Sequence, residues 1–139
     1  MLSFSVAAAA EQKIGFVDMQ KAIQDTEEGK KAKKELEADF NKKKKDLEKK
    51  EGDIKKMGED LEKKALVLSD DVKAKKQQEM QVEMRKYQEA VQKSQMDIQK
   101  HERDLTQPII SKIRKVIEEI AKKDGYSIVM EKSEQLVLY

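Results

Sequence analysis

The feature that most limits what this chain can become is a set of apolar residues seven apart: Phe40, Leu47, Ile54, Leu61 and Leu68. Leu36 and Met57 add positions to the same face. Nearly everything between them is charged. A seven-residue repeat marks one narrow stripe along a helix, the seam of a coiled coil. Lys43, Lys50 and Lys64 fall at intervening seam positions and weaken it. Asp39, Asp46, Glu51 and Glu59 each stand four residues before a Lys. Such a pair supports an exposed helix by about 0.2–0.5 kcal/mol.

A second seam runs through Met80, Met84, Tyr87, Val91, Ile98 and Leu105, with Ser94 and His101 at its remaining positions. Between the seams lies "LVLSDDVKAK", where Ser69, Asp70 and Asp71 are good helix starters. The first helix is expected to end near Leu68 and the second to start near Asp71. Two seamed helices with a short break predict an antiparallel hairpin. Its first arm, from about Lys21 to Leu68, spans on the order of 70 Å at about 1.5 Å per residue. Gly52 and Gly58 lie inside that arm, each costing about 1 kcal/mol relative to Ala. Pro108 predicts a kink or a fresh helix start capped by Thr106. Beyond it the apolar face thickens through Ile109, Ile110, Ile113, Val116, Ile117 and Ile120, and Lys122, Lys123 and Gly125 signal a stop.

Short apolar runs flank these helices. "KIGFV" near the start reads as a strand, and so do Ser127–Glu131 and Leu136–Tyr139 around the turn "KSEQ". A strand needs partners for its backbone groups, so the opening strand is expected to pair with the closing ones. The fold class is therefore α+β and mostly helical: a small oligomeric β-body carrying a long antiparallel helical-hairpin coiled-coil arm per subunit. Residues 11–20 and 106–139 form the body, and residues 21–105 form the arm with its tip near 68–72. Ile14, Phe16, Val17, Ile128, Val129, Leu136 and Leu138 are the candidate oligomer core, because so small a sheet is marginal unless self-association covers it.

Composition agrees with thin helices and excludes a large core: 42% of the 139 residues are charged, 4% are aromatic and none is Trp. Periodic apolar residues argue against disorder, the other outcome of such charge. With no Cys and one His, His101, the chain lacks the ligands for a thiol or zinc site. A half-buried structural role suits His101 better than catalysis. Scattered glycines give no phosphate loop. No enzyme activity, cofactor or metal is expected. The opening "MLSFSVAAAA", residues 1–10, is either a signal-peptide remnant, since it resembles the end of an apolar region with an A-x-A cleavage site, or a disordered start; the first reading makes export the expectation. No apolar run approaches the ~20 residues that cross a bilayer.

Binding remains. Lys42, Lys43, Lys44 and Lys45 are either a solvated helix face or a cationic surface for acidic clients or anionic lipid. Met80 and Met84 are either seam residues or adaptable contacts for varied ligands. The net charge of +2 and the lack of interleaved aromatics speak against nucleic acid.

Three stretches, "KIGFVDMQKAI", "LVLSDDVKAKKQQE" and "IAKKDGYSIVMEKSEQLVLY", in that order, resemble the Skp/OmpH family of periplasmic chaperones over Lys13 to Tyr139. The resemblance implies a homotrimer whose β-body carries three helical arms around a cavity. It implies an ATP-independent holdase for unfolded outer-membrane proteins, soluble in the periplasm after signal cleavage, with anionic lipid or lipopolysaccharide as further partners. The other reading is a structural or tethering coiled coil that uses its Lys-rich arms on anionic membrane or nucleic acid. A prefoldin-like chaperone fits less well, since its strands lie between its helices.

Overall fold

The structure is a computed structural model that describes residues 12–132. Strand β1 (Ile14–Val17) is followed by helices α1 (Met19–Asp25), α2 (Glu27–Lys63) and α3 (Asp70–Asp124), and then by strand β2 (Ile128–Glu131). The expected strand at Leu136–Tyr139, with Leu136 and Leu138, lies outside the described residues. The chain divides into two compact units. One consists of the two ends, up to Lys30 and from Thr106; the other is Lys31–Leu105.

In the first unit β1 and β2 pair in parallel, with Ile14 opposite Ile128 and Phe16 opposite Met130. Parallel strands need a long connection, which the helices supply. The ladder extends at both ends: the Ser127 N–H donates to the Lys13 carbonyl and the Lys132 N–H to the Val17 carbonyl, each at 2.7 Å. Gly125 at φ +71° ends α3, and the Tyr126 N–H donates back to the Ala121 carbonyl at 2.9 Å. Only glycine takes this conformation without strain, so the stop signal at Gly125 has a physical basis. Lys13 closes the same corner, its Nζ donating to the Asp124 carbonyl at 3.0 Å and lying 4.2 Å from the centre of the Tyr126 ring. A cation at a helix C-terminus and over an aromatic face is favoured twice.

The first arm does not run unbroken from Lys21. Thr26 interrupts it: its hydroxyl donates to the Ile23 carbonyl at 2.8 Å and accepts from the Gly29 N–H at 2.9 Å. Thr26 thus ends α1 and caps α2, whose first turn carries Glu27 and Glu28 as the helix dipole prefers. At the far end α2 stops at Lys63, short of Leu68, and a turn held by Val67 and Leu68 N–H groups donating to the Lys64 carbonyl leads into α3. No fresh start occurs at Thr106, because α3 continues through Pro108. Proline removes the N–H that the Asp104 carbonyl would accept, but both residues are exposed, where water can serve that carbonyl.

Glycines inside α2 differ in what they permit. A Cβ on Gly29 would collide with the Ile23 carbonyl, whereas one on Gly52 meets nothing. Gly29→Ala is expected to lower stability by about 1–3 kcal/mol and Gly52→Ala to raise it by up to about 1 kcal/mol. Urea unfolding followed by circular dichroism checks both signs.

Candidate functional site

The arm unit, Lys31–Leu105, is held by side chains on its two helical segments. Lys43 lies 3.4 Å from Asp97, His101 lies 3.1 Å from Glu35 and 3.3 Å from Asp39, and Lys76 lies 3.8 Å from Asp60. As the first number of a pair rises the second falls, the signature of antiparallel segments. Leu36, Leu47, Ile54, Met57 and Leu61 of α2 and Met80, Tyr87, Val91, Ser94, Ile98 and Leu105 of α3 are all half-buried, as seam residues should be.

The apolar repeat misplaces two residues. Phe40 is 54% exposed and Met84 is 46% exposed, so neither sits in the seam. Their places are taken by half-buried neighbours, Asp39 with Lys43 and Glu83. The reason is the 3.6-residue turn: a straight helix drifts against a seven-residue repeat, so the residue facing the partner changes along it. Met80 stays inward, its Sδ within 3.7 Å of where a Cβ on Gly58 would be.

The structure also separates the Lys run. Lys42, Lys44 and Lys45 are exposed, and Lys44 approaches Glu48 at 3.8 Å. Lys43 turns inward, with a side chain only 23% exposed between Asp39 and Asp97. With His101 and the exposed Glu35 these residues form a polar layer across the seam. Hydrogen bonds to Asp39 and then Glu35 hold the His101 imidazole above its ordinary pKa. Near the tip, a hydrogen bond from Lys64 is the main reason the Asp60 carboxyl lies below its ordinary range. Sequence spacing had put His101 in the seam; it did not find its carboxylate partners, because acidic residues at seam level read as surface.

At the turn Leu66, 99% exposed, and Val67 point out, while Leu68 is half-buried. A shallow groove of about 520 Å³ between Met57 and the α3 residues Lys75, Gln78, Val82 and Lys86 mixes apolar floor with charged rim.

In the strand unit the pleat divides the candidate core. Val17 and Val129 are half-buried; with Phe16, Ile117, Ala121 and Tyr126 they line a cavity of about 210 Å³. Ile14, Phe16 and Ile128, with Met130, lie exposed. Alternate residues of a strand face opposite sides, so these four share an open apolar face, from which Phe16 also reaches the cavity edge.

The arms are thus densely charged, and Phe40 and Met84 lie on their open surfaces. The OmpH-like outer membrane protein family model matches residues 13–139, and the chain belongs to that family. Among solved structures, it is similar to an OmpH-like protein from Caulobacter crescentus CB15, proposed to be an outer membrane chaperone. The TM-score is 0.74 at 13% identity, over 99% of this chain and 81% of the other. No match was found among curated protein sequences. No helix among the described residues is long and apolar enough to cross a membrane.

Adjacent lysines separate the inward from the outward role. Lys43→Ala is expected to cost about 1 kcal/mol and Lys44→Ala less than about 0.5 kcal/mol, measured by chemical unfolding at equal salt.

Proposed function

We propose that the chain is an ATP-independent periplasmic holdase that binds unfolded outer-membrane proteins between the arms of a homotrimer and prevents their aggregation. The observation that carries this reading is the displacement of Phe40 and Met84 from the seam onto exposed arm surfaces amid lysines. Large exposed apolar side chains cost solubility unless they have a ligand. Here each is flanked by charge, which suits weak, repeated contacts with an unfolded chain. Several such contacts around one cavity add through effective concentration, and release then needs no nucleotide. Membership of the OmpH-like family, a family of periplasmic outer membrane chaperones, supports the same conclusion. Trimer formation would cover the open face of Ile14, Phe16, Ile128 and Met130.

The test is light scattering on dilution of a urea-denatured outer-membrane β-barrel protein. The intact protein should slow aggregation without ATP. Phe40→Ser with Met84→Ser should weaken that effect several-fold and cost less thermal stability than Leu47→Ser with Tyr87→Ser, since the first two side chains are about half exposed and the second two face the seam. No protection by the intact protein would sink the proposal. Phe16→Asp should reduce the sedimentation mass, because it places a charge in the subunit contact; an unchanged mass would remove that face from the assembly.

A second reading rests on the exposure of Lys42, Lys44 and Lys45. It takes them as a docking surface for anionic lipid or lipopolysaccharide. Exchanging all three for Glu should then abolish salt-sensitive binding to anionic vesicles and preserve the oligomer. Unaltered vesicle binding would return these residues to an ordinary solvated face.

A further inference from the structure

The largest charged cluster across the arm seam among the described residues centres on His101. His101 on α3 presents both ring nitrogens to α2: Nε2 lies 3.1 Å from Glu35 Oε1 and Nδ1 lies 3.3 Å from Asp39 Oδ2. A neutral imidazole has one N–H and one lone pair. In either tautomer, a lone pair would then face a carboxylate oxygen. Only the imidazolium donates to both. The next groups in the layer are Lys43, 3.9 Å from Asp39 and 3.4 Å from Asp97. Asp97 stands one turn before His101 on the same helix, and Asp104, almost a turn beyond, is exposed. The layer therefore holds the carboxylates Glu35, Asp39 and Asp97 against Lys43, with His101 as the second cation only when protonated.

The layer's ring contacts to α2 are thus made by a group whose charge changes within the ordinary pH range. Half-buried apolar neighbours, Leu36 and Leu47 on α2 and Ile98 and Leu105 on α3, flank these polar residues in the chain. When the proton leaves, one of the two ring hydrogen bonds is lost and the excess negative charge in the layer grows. Both changes push the helices apart at the same level.

We propose that Glu35, Asp39, Lys43, Asp97 and His101 form a proton-operated clasp, which holds the two arm helices together when His101 is charged and loosens the arm when it is neutral. The direction of titration agrees. The hydrogen bond to Asp39, then that to Glu35, raises the folded His101 pKa above the ordinary 6.5. A raised folded value means that the stabilisation is fully present below the unfolded pKa and is lost as pH rises through the folded value. The arm is thus tightest in mild acid and looser in mild alkali. This device is independent of what the arm binds.

His101 is the only histidine and the chain has no cysteine, so the test is clean. Proton NMR of the full chain follows one imidazole, which should titrate above its ordinary value. Glu35→Gln with Asp39→Asn should return it to the ordinary range. Thermal unfolding at about pH 6 and about pH 8.5 should show the melting temperature falling by a few degrees. His101→Gln should flatten that difference. Spin labels on Asn41→Cys and Gln99→Cys, both at exposed positions, should show a broader distance distribution at the higher pH that His101→Gln removes. An imidazole that titrates at or below its ordinary value overturns the clasp. So does a His101→Gln protein that keeps the wild-type dependence of melting and distance on pH.

Discussion

Two four-residue strands from opposite ends of a chain cannot find each other unless something returns the chain to its start. A strand pair alone is too small to hold, and closing a loop of this length costs entropy before any ladder bond forms. The antiparallel seam supplies the return. It buries only a thin stripe, but over many turns, and it leaves the ends of the chain able to pair. The ladder between β1 and β2 and the corner formed by Lys13, Asp124, Gly125 and Tyr126 then complete a contact that the helices made possible.

So thin a seam has little spare apolar area, which gives polar positions within it unusual weight. In a broad core, a layer such as Glu35, Asp39, Lys43 and His101 would be surrounded and dry, and burying it would cost several kcal/mol. Here its members keep partial contact with water, His101 being 31% exposed. The desolvation cost is modest, and so is each pairing. Such a layer favours one register, because a slip of the two helices past each other would separate these charges from their partners.

Most of the architecture was legible in the sequence, because it rests on period and on chain breaks. The seven-residue spacing, the Ser69–Asp71 start and the Gly125 stop all correspond to elements of the structure. Other features were legible only in part. "TEEG" at Thr26–Gly29 carries a helix-start signal that was hidden by the helical pattern on both sides. Pro108 reads as a break in any local rule, yet a helix as long as α3 keeps enough bonds on either side to run through it. Phe40 and Met84 show the limit most clearly. Hydrophobicity says that a side chain prefers burial, but the turn angle decides which residue faces the partner. Strand alternation likewise split the candidate core into half-buried Val17 and Val129 and exposed Ile14, Phe16 and Ile128, with Phe16 also at the cavity edge.

The turn between α2 and α3 is closed by its own backbone. N–H groups of Val67 and Leu68 meet the Lys64 carbonyl, and the Lys73 N–H meets that of Ser69. Leu66 and Val67 contribute no packing to it. Folding therefore places almost no demand on the identity of these two side chains. A library randomised at these two positions would vary surface chemistry on an unchanged scaffold.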